Sequence, residues 1–114
     1  MWRMSVDLPF PYDGPGALRE PVEAALRRVV DPELAMSIVD VGLIYGVAID
    51  ATQARVTLTM TSPACPVIEV ILDDVHDELG RVLPEGTTID TQLVWEPAWN
   101  SDRLSARARL FMGW

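Results

Sequence analysis

The sequence predicts a small α/β domain of the two-layer α+β kind. Its expected order is helix–strand–strand–helix–strand–helix, with a small mixed three-stranded sheet and helices packed mainly on one face. Three observations carry this reading. Pro21 and Pro66 each open a stretch of helical apolar spacing: Val22, Ala25, Leu26, Val29 and Val30 after the first, and Ile68, Ile71, Leu72, Val75, Leu79 and Val82 after the second. Between them Val56, Leu58 and Met60 alternate with Thr57, Thr59 and Thr61, the period of a strand with one apolar face. Finally, the helix from Pro66 is followed by a third strand-like run. A strand–helix–strand step of this kind is right-handed and sets the third strand parallel to the second.

Each element follows from local chemistry. Residues 1–19 hold Pro9, Pro11, Pro15, Gly14 and Gly16 among the aromatics Trp2, Phe10 and Tyr12. Prolines at this density argue against a helix, so an extended arm is expected, lying on the domain or on a partner, with the domain proper at 20–114. The first helix should start at Pro21 and end near Val30, because Asp31 precedes Pro32 and is pushed toward extended geometry. Glu23 and Arg27 form a favourable pair four residues apart on its outer side. Residues 31–41 read as an irregular connection with one short turn near Leu34–Ser37. Leu43–Ile49 then reads as a strand, with Tyr45, Val47 and Ile49 on one face, and 55–61 returns antiparallel to it. Pro84-Glu85-Gly86 stops the long helix. Thr87–Trp95 is the third strand, with Ile89, Leu93 and Trp95 toward the core. Glu96-Pro97-Ala98-Trp99-Asn100 breaks it, and Ser101-Asp102 can cap a last helix to about Leu110, leaving Phe111, Met112 and Trp114 as an apolar tail.

Bulk properties bound the function. A chain of 114 residues with 49% hydrophobic residues can bury a core as one domain without disulfides or structural metal. Its net charge of −8 repels nucleic acid and anionic lipid. Every cation is arginine, so lysine nucleophile and Schiff-base chemistry is absent. No apolar run approaches the ~20 residues of a membrane helix, and the first residues lack the pattern of a signal peptide. The expected address is the cytoplasm, where a single cysteine stays reduced.

That cysteine, Cys65, sits where the strand 55–61 turns into the long helix. A sulfur at a helix N-terminus meets unpaired N–H groups and the positive end of the macrodipole, which favours the thiolate that binds metal or attacks an electrophile. The competing reading is a small buried apolar residue at a loop–helix junction. Asp31, Glu33 and Asp40 all fall in the connection before the first strand of the hairpin and would approach the Cys65 turn if the two strands are neighbours. As ligands they would make a mixed hard–soft set with the thiolate, tolerable for iron or zinc. As structural residues they would be a helix stop and turn-capping carboxylates. His76, the only histidine, lies 11 residues along the helix, or about 16 Å, from Cys65 and reads as part of a solvated face. No base or triad partner for the thiol can be drawn, so no enzyme is expected. Of the four tryptophans, Trp99 and Trp114 are the better interface candidates.

Four segments in order and at characteristic spacing resemble a known family: Asp31-Pro32-Glu33-Leu34, Ile38 to Tyr45, Leu58 to Pro66, and Pro97-Ala98-Trp99. They are similar to the SufT/PaaD-like iron–sulfur cluster assembly domains, relatives of the cytosolic iron–sulfur targeting subunit that interacts with the MMS-nineteen protein. The resemblance spans about residues 20 to 110. It implies a compact α/β domain that helps mature iron–sulfur proteins, with the family's cysteine at Cys65 and its acidic and threonine positions at Asp31, Glu33, Asp40, Thr59 and Thr61. PaaD-type members carry a cysteine-rich extension, and other members a P-loop ATPase domain. Neither accompanies this sequence, so it is the stand-alone form that it resembles.

The function so implied is an accessory factor, not an enzyme, in iron–sulfur cluster assembly or delivery. Cys65 would be a transient ligand of a cluster or of iron, or a thiol contact. Its partners would be iron–sulfur scaffold or carrier proteins and apo clients, with no nucleic acid or membrane. One thiolate cannot hold a cluster that usually takes four, so a bound cluster would be shared with a partner or across a homodimer. The alternative is a small subunit or maturation partner of an iron-dependent oxygenase, in a PaaD-like setting, with Cys65 structural.

Overall fold

The computed structural model describes residues 10–61, 63 and 65–113, with Cys65 described by its backbone. Expectations for residues 1–9, for Trp114 and for the Cys65 side chain therefore lie outside the described residues. The element order is β1 (Tyr12–Asp13), α1 (Gly16–Arg27), β2 (Val30–Asp31), β3 (Met36–Ser37), α2 (Ile38–Val41), β4 (Ile44–Ile49), β5 (Gln53–Leu58), α3 (Cys65–Val82), β6 (Thr88–Leu93), a 3-10 turn (Ser101–Arg103) and α4 (Ala106–Met112). The two-layer α/β class is the one expected, and the expected six elements are all present in their order.

The sheet has four strands, not three, ordered β1-β4-β5-β6. β4 and β5 form the expected antiparallel hairpin, and β6 runs parallel to β5. The additional edge strand comes from the stretch read as an arm: Tyr12 and Asp13 pair parallel with Val47 and Ala48. The short connection 31–41 is also more ordered than expected. Val30–Asp31 and Met36–Ser37 form a two-stranded ribbon, and α2 follows at once, capped by the Ser37 hydroxyl that accepts from the Val39 N–H at 3.1 Å.

One face of the sheet is buried. Ala54, Val56 and Leu58 on β5 are fully buried, as are Val22, Ala25 and Leu26 of α1 and Ile71, Val75 and Leu79 of α3. Burying a Leu- or Ile-sized side chain contributes about 1.5–3 kcal/mol each, so this interface is the main source of stability. Arg55 and Asp90 pair at 3.2 Å across the opposite, open face, where β5 and β6 set them in register.

Several boundaries depart from the sequence reading, each for a visible reason. α1 begins at Gly16, with Pro21 inside it, because a proline in the second turn forfeits one intrahelical hydrogen bond that tertiary packing of Val22, Ala25 and Leu26 offsets. It ends at Arg27, and Val30 turns outward in β2 with 45% of its surface exposed. In β4 a bulge between Ile44 and Gly46 breaks the strict alternation, so Tyr45 leaves the face shared by Val47 and Ile49, and Ile44 is buried instead. β5 ends at Leu58 and β6 at Leu93, which leaves Trp95 beyond the sheet and 45% exposed, not in the core. The expected last helix is divided: Asn100 caps the 3-10 turn at Ser101–Arg103, and Ser105 caps α4.

Candidate functional site

The site region lies where β5 ends. The Thr59 N–H donates to the Leu43 carbonyl at 2.8 Å, and the Val94 N–H donates to the Leu58 carbonyl at 2.9 Å. The segment before β4 and the one after β6 therefore flank the chain as it leaves β5 for Cys65. In open α/β sheets, ligand sites form beyond the carboxyl ends of parallel strands, and β5 and β6 both end here.

Cys65 is the first residue of α3, an 18-residue helix, one position earlier than its proline signalled. Its sulfur lies outside the described residues. Thr59 and Met60 are buried on the approach and Thr61 is half-buried. The Thr59 hydroxyl is buried with no hydrogen-bond partner among the described residues. A buried hydroxyl left so costs about 1–3 kcal/mol, which makes it an available donor or acceptor on the segment that leads to Cys65.

The acidic residues separate into different roles. Asp31 is 1% exposed, and its carboxylate accepts from the Glu33 N–H at 2.8 Å, while its carbonyl accepts from the Ala35 N–H at 2.7 Å. This closes the β2–β3 turn over Pro32 and leaves Glu33 exposed at its tip. Ala35 takes the left-handed conformation (φ 57) to complete the turn. Asp40 in α2 faces elsewhere. Its Oδ1 accepts from Arg27 Nη1 at 3.2 Å and from Ser105 Oγ at 3.0 Å, and its carbonyl accepts from the Ser105 N–H at 2.8 Å. Arg27 also reaches Glu23 at 2.9 Å, the expected pair. Partial burial alone would lower the basicity of Arg27, but hydrogen bonds to Glu23 and Asp40 outweigh it and hold the guanidinium above its ordinary value. Asp40 thus ties α1 to α2 and to the cap of α4, and also lines a cleft of about 200 Å³ with Ala35, Met36, Ser37, Arg107, Ala108 and Phe111. Among the described residues no group of three or more His, Cys, Asp or Glu side chains is placed to hold a metal ion. His76 is exposed on α3, its Nε2 3.5 Å from the Thr91 hydroxyl.

A set of residues that spacing did not flag holds the site region from behind. Gly42 ends α2 in the left-handed conformation (φ 82), its N–H bonded to the Ile38 and Val39 carbonyls. Arg103 crosses over it, donating to the Gly42 carbonyl at 2.7 Å and to the Ile44 carbonyl at 3.3 Å. The guanidinium carbon stands 4.2 Å from the Tyr45 ring centroid, and the Tyr45 hydroxyl donates to the Pro97 carbonyl. Trp99, read as an interface residue, packs instead against the core and donates its indole N–H to the Val41 carbonyl at 2.8 Å. These partners are separated by 52 to 61 residues of chain, and the sequence signs of them were the segments Ile38 to Tyr45 and Pro97-Ala98-Trp99, with nothing to say that the two meet.

Comparison with known proteins agrees with this architecture. Residues 19–91 match the family model described as iron-sulfur cluster assembly protein. The chain is 40% identical over 98 residues to the Fe-S protein maturation auxiliary factor YitW of Bacillus subtilis, covering 85% of this chain and 95% of that one. It is 37% identical over 86 residues to the Fe-S protein maturation auxiliary factor SufT of Staphylococcus aureus, covering 75% of this chain and 97% of its relative. The crystal structure of a domain of unknown function, DUF59, from Bacillus anthracis superposes with a TM-score of 0.78 at 39% identity, covering 85% of this chain and 92% of that one. The conformation, the motifs and the matched span lead to one conclusion: the chain belongs to the iron–sulfur cluster assembly protein family.

Proposed function

We propose that this protein is an accessory factor of iron–sulfur protein maturation whose cargo is a cluster, or iron, held briefly through Cys65 and passed on. The observation that carries the reading is the position of Cys65 as the opening residue of an 18-residue helix at the carboxyl end of β5. Free N–H groups and the helix dipole favour a thiolate there. The Thr59 hydroxyl on the strand exit, buried and without a hydrogen-bond partner among the described residues, supports the same reading, since a group kept at a cost in stability suits a ligand better than a fold. In this reading Asp31 and Glu33 belong to the β2–β3 turn, Thr59 and Thr61 to the strand exit that leads to Cys65, and Asp40 to the segment that fixes α2.

The factor acts by binding, not by catalysis. It works in the cytoplasm, and its partners are a scaffold or carrier that supplies the cluster and an apo client that receives it. A cluster usually takes four thiolates and this chain has one, so the remaining ligands come from a second molecule. The test is anaerobic reconstitution with ferrous iron and sulfide, read by absorption and native mass. Wild type should gain a visible chromophore and a mass shift that Cys65→Ser lacks. Equal loading of both forms would overturn the ligand role.

A further inference from the structure

The most exposed large apolar side chains among the described residues are neighbours on α4, Leu110 at 83% and Phe111 at 70%. Arg107 stands one turn before them, exposed and without an ion pair among the described residues. In a chain of net charge −8 this is the basic end: residues 101–113 carry Arg103, Arg107 and Arg109 against one carboxylate, Asp102. The complementary surface is on α3. Val70 is 48% exposed there, with Asp73, Asp74 and Asp77 at helical spacing from it and Glu69 just before it, four residues from Asp73. None of these four is in an ion pair among the described residues, whereas Glu78 on the same helix is paired with Arg28 at 2.7 Å. The sizes also match, since Glu69 to Asp77 spans about 12 Å of helix and the seven residues of α4 about 10 Å.

We infer that the outer face of α4 docks on α3 of a second copy of this chain, forming a two-fold dimer. Leu110 and Phe111 would cover Val70, and Arg107 would enter the stripe of Glu69, Asp73 and Asp77. Both halves of the contact lie on one chain, so each copy can supply α4 to one contact and α3 to the other, and the two-fold pair is the closed arrangement that uses both. The charge match is what selects a second copy over an unrelated apolar partner. Two contacts of this size fall at or below the ~1,200 Å² of standard interfaces, so the dimer is weak and salt-sensitive. The acidic patch starts four residues, about 6 Å of helix rise, beyond Cys65, which would bring the partner's α4 beside the site. This deepens the reading above by naming the second molecule, but its test involves no cluster, so either can fail without the other.

The experiment is sedimentation of the full chain at about 100 µM, in roughly 20 mM and 500 mM salt. Three samples are compared with wild type: Arg107→Glu, Asp73→Arg/Asp77→Arg, and their equimolar mixture. All three positions are exposed, so both variants should keep the wild-type far-ultraviolet spectrum. Wild type should dimerise at low salt and dissociate at high salt. Each variant alone should be monomeric, its dissociation constant raised at least about tenfold by like charges at both contacts. The mixture should dimerise again, because a glutamate on α4 then meets arginines on α3 while the second contact is wild-type. A monomeric wild type, a variant that dimerises as wild type does, or a mixture that stays monomeric would each overturn the proposal.

Discussion

Replacing Gly42 with alanine should be among the most damaging single-methyl changes in this protein. Two separable costs meet there. The backbone is left-handed, with φ at 82°, which a Cβ penalises by about 1–2 kcal/mol. The added Cβ would also lie 2.3 Å from the Arg103 carbonyl oxygen and 2.7 Å from its Cβ, so the C-terminal segment must move. Overpacking of that kind costs about 1–3 kcal/mol more, giving a total of about 2–5 kcal/mol. Gly86 supplies the control, because it has the same handedness (φ 89) with nothing within 4 Å of an added Cβ. Gly86→Ala should therefore show the conformational cost alone, about 1–2 kcal/mol. Urea unfolding at constant m-value measures both, and each kcal/mol should lower the melting temperature by about 4 °C. The difference between the two variants isolates the crossing of Arg103 over α2. Equal losses within about 0.5 kcal/mol would refute that crossing as the source of strain.

Other substitutions test other parts of the account. Thr59→Val keeps the branched shape and removes the hydroxyl that has no partner among the described residues, so it should leave stability unchanged or raise it by about 1 kcal/mol while lowering client maturation; a clear loss in a urea melt would show that the hydroxyl serves the fold. Asp40→Ala removes the acceptor shared by Arg27 and Ser105 and should cost about 1–3 kcal/mol in the same melt. Glu23→Ala, which loses only the more exposed pair, should cost no more than about 0.5 kcal/mol, and the ranking of the two is the check. Asp50 is held below the usual aspartate value by N–H bonds from Thr52 and Gln53. Its contribution is full above the unfolded value of about 3.9 and is lost as pH falls through the lower folded value. Asp50→Asn keeps the turn but not the titration, so its melting temperature should fall less steeply than wild type below about pH 4, and parallel curves would contradict the assignment.

What the sequence made legible was what local chemistry controls. Pro66 located the start of α3 to within one residue, the alternation that places Val56 and Leu58 together gave β5 its buried face, and Glu23–Arg27 paired as helix spacing requires. Pro21 misled because a proline's preference for the first turn is weak against the burial of Val22, Ala25 and Leu26. Tyr45 was assigned to the wrong face because a bulge, which no alternation pattern announces, shifts the register between Ile44 and Gly46. Within the site, family-like motifs drew attention to Asp31, Asp40, Thr59 and Cys65. The division of labour among them depends on contacts far apart in the chain. Asp40 meets Ser105 across 65 residues and Arg103 meets Gly42 across 61, and nothing in the spacing of either pair encodes that meeting.

The central claim is that the thiol of Cys65 carries the cargo, and maturation of a client tests it most directly. The measurement is the activity of an iron–sulfur enzyme in cells lacking this gene, complemented with wild type or with Cys65→Ser at equal expression. The account predicts that Cys65→Ser leaves client activity at the level of the empty vector while the client polypeptide is unchanged. Full client activity with Cys65→Ser would contradict it.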